Sequence, residues 1–540
     1  MSYVRAICLV LERMKERAVL TELHADEPRS ITAAELLDNV GKARHALRTR
    51  GFRAGHRAVL VAPNSADWAA VDLAVAMEAG IFVPLYPRHT PAELAHMIRD
   101  SAPTVVICGD EITADLLQGR EGIPEPILLG KLFGENGVHE PPRLRQPGAP
   151  ATIFYTSGTS GTPRGVVLTD RNIEYMLGIT TRAFANLLGM NVRDARTFHY
   201  LPFCFAGSRM MLLTCLQQGQ PLMLSMELNR LQDELKEAAP HYFLNVPALL
   251  DRMVRGVESR ILARPWAGAL YRRARRAYHA SGRQTVVDRI ALWLAQCLLF
   301  ARVRLQIGAN LRCLICGSAP LSQETQRFFH MLGIPVYQVY GLTETTAIVT
   351  MDDPKLGVTV GRVGRPVEGC EVKVTERQEL CVKGPNVFAG YWGKDVESQA
   401  AVDEDGWFHT GDQVELDAQQ NLRIVGRIKD VLVPSSGHNI APEPIESHLM
   451  AKLPLAHHVV VVGHAKPYLT AIVSGELSET EAEHGIAQAN QDQPHYKCVR
   501  GVFVTRELFT SNNGLLTANQ KLRRAAVEER FRQDIERLYA

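Results

Sequence analysis

Nowhere in the 540 residues is there an apolar run approaching the roughly 18–20 positions needed to span a bilayer. The first such stretch, Ala6-Ile7-Cys8-Leu9-Val10-Leu11, is cut off by Glu12. It is short for a secretory apolar region and has no small-residue cleavage site after it. Charge of either sign is not in excess. Sixty Lys+Arg against 58 Asp+Glu leave a net charge of +2, which provides no general attraction for nucleic acid. Cysteine is sparse, ten residues scattered mostly through apolar runs, and this excludes a disulfide framework. These absences predict a cytoplasmic, reduced protein without a nucleic-acid partner. With 46% apolar and 22% charged residues the chain is neither disordered nor fibrous. It also exceeds the ~250–300 residues at which a single core stops growing, so at least two domains are expected.

What is present begins with alternating strand and helix patterns from about Arg57 to Pro247, and again from Leu311 to Glu344. His56–Ala62 reads as a strand. Ser65–Glu78 reads as a helix with Ser65 as N-cap and Gly80 as its stop. Residues 81–85, 104–108, 127–129 and 152–155 read as further strands. They are apolar throughout rather than alternating, which suits strands covered on both faces and hence a largely parallel sheet. Residues 131–150 are rich in Gly and Pro and read as a surface connection. After about residue 350, short strands at 369–374 and 378–382 predict a β-rich region. After Gly426-Arg427 an α+β pattern begins: a helix over 445–452, strands at 458–462 and 469–473, and a charged terminal helix over 520–539.

The sharpest chemical signal is Tyr155-Thr156-Ser157-Gly158-Thr159-Ser160-Gly161-Thr162-Pro163-Arg164-Gly165. Small hydroxyl residues and glycines let the backbone approach a polyphosphate and turn several donors toward it, while Arg164 adds a fixed charge. The spacing does not match a Walker A loop.

This segment resembles the phosphate-loop signature of the adenylate-forming, or AMP-binding, superfamily. Further signatures of that superfamily follow in order: Tyr340-Gly341-Leu342-Thr343-Glu344, then Gly406-Trp407-Phe408-His409-Thr410-Gly411-Asp412, then Gly426-Arg427-Ile428-Lys429-Asp430. Val83-Pro84-Leu85-Tyr86-Pro87, Gly317-Ser318-Ala319-Pro320-Leu321-Ser322, Phe328-Phe329 and Asn513-Gly514-Leu515-Leu516-Thr517 make the chain most similar to long-chain fatty-acyl-CoA synthetases within it. The resemblance implies an α/β fold. Its large N-terminal adenylation domain, residues 1–426, has layered sheets, flanking helices and a β-rich subregion; a small mobile α+β lid covers 427–540. It also implies an AMP-forming acid–thiol ligase. A medium- to long-chain fatty acid reacts with ATP to give acyl-AMP and pyrophosphate, and the acyl group then passes to coenzyme A. ATP, Mg²⁺ and coenzyme A are the implied cofactors and substrates.

The resemblance also assigns roles. Thr156, Ser157, Gly158, Thr159, Ser160 and Gly161 would surround the phosphates, with Arg164 beside them. Glu344, with Thr159, would hold Mg²⁺, since a hard cation takes oxygen ligands. Thr343 would donate to the α-phosphate. Tyr340, Gly341 and the backbone of Gly317, Ser318 and Ala319 would form the adenine site. Asp412 would accept from both ribose hydroxyls, and Arg427 would make a second ribose or phosphate contact. Lys521 would reach the reacting carboxylate. Lys429 would be the hinge, and Gly437 would leave room for the pantetheine arm. Phe203, Phe205 and Gly207 fall in the acyl pocket, with residues 200–220 and 241–250 as its candidate walls.

Some positions depart from the superfamily pattern. Arg164 stands where lysine is usual, Phe205 and Asp170 where histidine is usual, and Ala518-Asn519-Gln520 precedes Lys521 in place of Pro-Thr-Leu. Asp170 reads as a helix cap. These departures leave a degenerate binding protein as an alternative, and the motifs equally suit a ligase that loads the phosphopantetheine of an acyl carrier protein. Cys313 and Cys316 have metal-ligand spacing but lie in a run that reads as a buried strand. Residues 252–305 hold twelve arginines, no lysine, and only Glu258 and Asp288 as acids, interleaved with Trp266, Leu270, Tyr271 and Trp293. That composition suits either peripheral contact with an inner membrane surface, or a solvated or subunit face.

Overall fold

The computed structural model describes residues 2–157, 162–279, 285–491, 493–517 and 521–540. Its described residues form four sheets with helices between and around them. The predicted apolar runs become the seven-stranded sheet. Arg57–Val61, Ile81–Leu85, Val105–Cys108, Pro126–Leu128 and Pro150–Ser157 lie parallel, and Pro163–Thr169 and Gly390–Tyr391 close one edge antiparallel. The nine-stranded sheet carries Thr197–His199, Tyr242–Asn245, Leu314–Cys316 and Val336–Tyr340 as parallel neighbours. Helices Ala66–Met77 and Ala206–Gln218 are buried on nearly every side. Burial on all sides is why neither helix shows a polar stripe in sequence.

A buried ion pair ties these helices to the seven-stranded sheet. Arg209 donates Nε and Nη2 to the two oxygens of Asp72, each at 2.7 Å, and Nη1 to Thr152 Oγ1 at 2.9 Å. Its guanidinium also lies over the rings of Phe82 and Phe154, at 5.6 and 5.9 Å.

The β-rich region is a four-stranded antiparallel sheet of Glu371–Val374, Glu379–Lys383, Phe408–Leu416 and Leu422–Arg427. The smaller C-terminal domain follows. Ala456–Val462 pairs antiparallel with Leu469–Gly475, which pairs parallel with Val499–Thr505. Alternation sends Val459 and Val461 to a core with helices Pro442–Lys452 and Glu479–Asn490, and Val460 and Val462 to a core with Leu515, Leu516, Val527 and Phe531.

Three local expectations need correction. Helix Ala66–Met77 has Ser65 as its N-cap, accepting from Trp68 N, but Gly80 is not its left-handed stop. Ala79 takes that conformation (φ 53°), and Gly80 is small because a Cβ would meet the Phe52 ring at 2.4 Å. Asp170 is the first residue of helix Asp170–Leu188, whose cap is Thr169 in a capping box with Asn172. The Asp170 carboxylate instead holds Arg145 at 3.2 Å. The charged terminal segment is two short helices, Arg524–Arg530 and Arg532–Arg537, broken where the buried Phe531 turns into the core.

Candidate active site

Strands Leu314–Cys316 and Val336–Tyr340 run parallel side by side, so the loops at their carboxyl ends, 317–319 and 341–344, emerge together. Such a position at the carboxyl edge of a parallel sheet is where open α/β folds bind ligands. Both loops are sterically tight. A Cβ on Gly317 would meet Val339 at 2.7 Å, and one on Gly341 would meet the Ala347 carbonyl at 2.2 Å. Ser318, Thr346 and Ala347 hold φ of 72°, 52° and 85°, a conformation that costs a non-glycine residue energy and concentrates at functional sites. Ala319 follows Ser318 in the same loop. Thr343 and Glu344 sit in the 3-10 turn Thr343–Thr345, which Thr345 Oγ1 pins by accepting from Leu342 N at 2.9 Å.

The two ends of the hydroxyl–glycine segment lie on paired antiparallel strands. Pro150–Ser157 pairs with Pro163–Thr169, setting Thr156 opposite Arg164. Gly158, Thr159, Ser160 and Gly161 lie outside the described residues. The Arg164 guanidinium stacks on the Tyr391 ring at 4.7 Å, and the Tyr391 hydroxyl donates to Glu344 Oε1 at 3.1 Å. Trp392 N donates to Gly165 O at 2.7 Å, tying Tyr391 to the hairpin. Tyr391 therefore joins the hairpin to the 341–344 loop. The sequence reading did not single it out, although Gly390-Tyr391-Trp392 is a compact small–aromatic–aromatic signal.

Asp412 and Arg427 are cross-strand partners in the four-stranded sheet. Arg427 Nε donates to Asp412 Oδ1 at 2.7 Å, and the Tyr340 hydroxyl donates to Oδ2 at 2.5 Å. Both carboxylate oxygens thus already have a protein donor, and ribose hydroxyls would share their remaining lone pairs. Burial pushes the Asp412 carboxyl up, against the pull of Arg427 and Tyr340. The preceding turn is braced from behind, where Glu379 accepts from Gly411 N at 3.1 Å and lies 3.0 Å from His409 Nδ1.

The smaller domain brings Lys521 to this cleft. Lys521 precedes Leu522, which bridges to Leu516, and Lys521 N donates to Thr517 Oγ1 at 3.0 Å. The side chain keeps solvent contact. Desolvation by the surrounding cleft and then Arg427 lower its pKa, and Asp412 and Glu344 oppose them. Lys429, in the turn Ile428–Asp430, is also lowered, first by burial and also by Arg427 and Arg164. Arg164, Arg427, Lys429 and Lys521 thus share one electrostatic neighbourhood with Glu344 and Asp412. That arrangement suits a reaction between two anions.

Other named residues lie farther out. Phe203 is fully buried, tilted against Trp68 at 5.1 Å and stacked on His199 at 5.1 Å. Phe205 heads helix Ala206–Gln218 and contacts Tyr86 at 5.6 Å. Gly207 points at Ala347, which a Cβ would meet at an ordinary 3.8 Å. Gly437 lies in an exposed loop (φ 77°) with nothing within 4 Å of a Cβ, and its neighbour His438 stacks on Tyr496 at 4.3 Å. Cys313 and Cys316 are buried in and beside a strand, and burial pushes both thiols up, Cys313 to about 12.

Comparison with known proteins shows the family and the fold. The AMP-binding enzyme profile matches residues 10–392, and the AMP-binding enzyme C-terminal domain profile matches 429–540. A long-chain-fatty-acid–CoA ligase of Mycobacterium bovis is 26% identical over 94% of this chain and 92% of its own length. Long-chain-fatty-acid–CoA ligase 1 of Cavia porcellus is 26% identical over 92% of this chain and 80% of its own length. Two solved structures share the fold. One is the o-succinylbenzoate CoA synthetase of Bacillus subtilis with its acyl-adenylate intermediate (TM-score 0.76, 21% identity, 97% of this chain, 98% of that one). The other is an anthranilate CoA ligase with anthranoyl-AMP (TM-score 0.77, 18% identity, 98% and 97%).

Proposed function

Since this chain belongs to the AMP-binding enzyme family, we propose that it activates a medium- to long-chain fatty acid with ATP and transfers the acyl group to coenzyme A. In the first half-reaction a carboxylate oxygen attacks the α-phosphorus, the α–β phosphoanhydride bond breaks, and pyrophosphate leaves. In the second the thiol loses its proton, its sulfur attacks the acyl carbon, and AMP departs as the C–O bond breaks. The observation that carries this reading is the pairing of Asp412 with Tyr340 and Arg427, together with the contacts of Tyr391 to Arg164 and Glu344, at a site where the charge of Lys521 is also felt.

The residues divide the work by charge. Arg164 and Lys521 offset the repulsion between carboxylate and triphosphate. Asp412, held by Tyr340 and Arg427, orients the ribose. Glu344 fits a hard divalent cation: a carboxylate carries about four acceptor sites, of which Tyr391 takes one. Mg²⁺, when bound there, neutralises phosphate charge. Lys429 is the first residue of the C-terminal family match and serves as the hinge, with the domain boundary at 426–427. Acyl specificity comes from buried methylenes, each worth roughly 0.8 kcal/mol.

Carboxylate-dependent ATP–pyrophosphate exchange across a chain-length panel tests the reading. Exchange that rises with fatty acids is expected; silence with every acid would favour a binding protein without turnover. Offering one acyl-adenylate to coenzyme A and to a phosphopantetheinylated carrier protein then identifies the acceptor, with coenzyme A expected.

A further inference from the structure

The arginine-rich stretch folds as helices Pro247–Leu262, Pro265–His279, Val286–Ala295 and Ala301–Ile307, the last two continuous through a π-turn at Gln296–Phe300. Their inner faces belong to the core with Tyr271, Ala274, Ala295, Phe300, Val303 and Ile307. Their outer faces have an unusual composition. On helix Val286–Ala295, Val286, Val287, Ile290 and Trp293 are 72%, 53%, 50% and 61% exposed. Spacings of one, four and seven put these four side chains on one helix face. The exposed apolar residues continue through Leu298 and Leu305, and Trp266 is exposed on the paired helix. Apolar side chains of this size rarely cluster in water without a partner.

The charge beside this face is of one sign. Arg273 pairs with Asp288 at 3.5 Å and Arg275 with Glu258 at 3.6 Å, so both acids of the stretch are taken. Arg272, Arg276, Arg289, Arg302 and Arg304 are exposed and form no ion pair among the described residues. We propose that this helical hairpin is a docking surface for anionic lipid, with Ile290 and Trp293 entering the interfacial zone and the unpaired arginines meeting headgroup phosphates. Trp at the headgroup level and a basic surround are the physical signature of interfacial binding. A second copy of the chain does not fit. A two-fold contact through this face would set unpaired arginines against arginines. The last helix leads through Leu311 into the amino end of strand Leu314–Cys316, whose carboxyl end carries the 317–319 loop.

The test is flotation of the full-length protein with phosphatidylcholine vesicles, with and without about a third phosphatidylglycerol. Binding about 10-fold greater on anionic vesicles is expected, weakening as salt shortens the Debye length. The double variants Ile290→Ser/Trp293→Ser and Arg272→Glu/Arg276→Glu should each lose about 10-fold of it. Both should keep their thermal melt and their pyrophosphate exchange with a soluble short-chain acid. Wild-type flotation without any exchange activity would sink the ligase reading and leave this one standing. The docking proposal is overturned by absent or charge-independent vesicle binding, by unaffected variants, by a stable dimer that these substitutions dissociate, or by capture of duplex nucleic acid in place of vesicles.

Discussion

Arg164 shows why a substitution within one charge class is not neutral. A guanidinium can lie flat on a ring as an ammonium cannot, and the guanidinium carbon of Arg164 lies over the Tyr391 ring, 4.7 Å from its centre, while the Tyr391 hydroxyl holds Glu344. Arg164→Ala is expected to lower pyrophosphate exchange by about 10²–10³-fold. Arg164→Lys should retain it within about 10-fold, with most of the change in KM for ATP, because charge survives while the ring contact does not. Steady-state exchange kinetics check both. His199 carries a different expectation. Ser208 donates to Leu201 O, so His199 Nε2–H donates to Ser208 Oγ at 2.6 Å, and its buried Nδ1 has no partner among the described residues. Burial lowers its pKa from 6.5 to about 4. The unfolded chain then binds the extra proton first, so this stabilisation is complete above pH 6.5 and is lost as pH falls toward 4. Melting temperature against pH should drop across that window in the wild type and drop less in His199→Gln. At this scale the charged and hydroxyl residues were legible from sequence motifs. Tyr391, Thr346, Ala347 and the strain at Ser318 were not, because their importance lies in contacts across hundreds of residues and in backbone angles.

At the scale of elements, the parallel sheets were readable because strands covered on both faces are apolar throughout. The helices between the sheets were harder to orient, since a helix buried all round has no amphipathic stripe to show which side faces what. Their placement depends on the Arg209–Asp72 pair, two residues 137 positions apart. Removing one partner strands the other as an uncompensated buried charge. Arg209→Met should therefore destabilise the large domain by about 3–5 kcal/mol, whereas Arg209→Met/Asp72→Leu should recover a substantial part of that loss. Urea midpoints of the two variants test this, and equal destabilisation would show that the pair has no registering role. Gly80 makes the same point about context: sequence marks it as a helix stop, but a neighbouring Phe52 ring is what requires it to be small.

The whole molecule presents two faces of the small domain. In the described arrangement Lys521 lies in the electrostatic reach of Glu344 and Asp412, while the Gly437 loop is on the outside. A cleft of about 580 Å³ runs between the domains, lined by Glu258, Arg275 and Phe328 on one side and Glu443, Met450 and His458 on the other. Lys521→Ala should lower acyl-adenylate formation by at least about 100-fold and leave thioester formation from supplied acyl-AMP within a few-fold. Gly437→Trp should do the reverse. A Cβ there meets nothing within 4 Å, and the strain of a side chain at φ 77°, about 1–2 kcal/mol, stays within an exposed loop, so the first half-reaction keeps its geometry while the bulk obstructs a pantetheine arm. Separate single-turnover assays of the two halves decide the matter; equal losses in both would refute the division.

Apolar periodicity was enough to read a largely parallel sheet with flanking helices, and the hydroxyl–glycine segment a polyphosphate site, because local propensity and short-range spacing are written along the chain; the nucleotide roles followed from the resemblance of the ordered motifs to the superfamily. The pairing of Asp412 with both Tyr340 and Arg427, the Arg164–Tyr391–Glu344 relay and the arrival of Lys521 beside them came with the folded structure alone. Those contacts join segments far apart in sequence, and their geometry follows from how the sheets and the smaller domain pack.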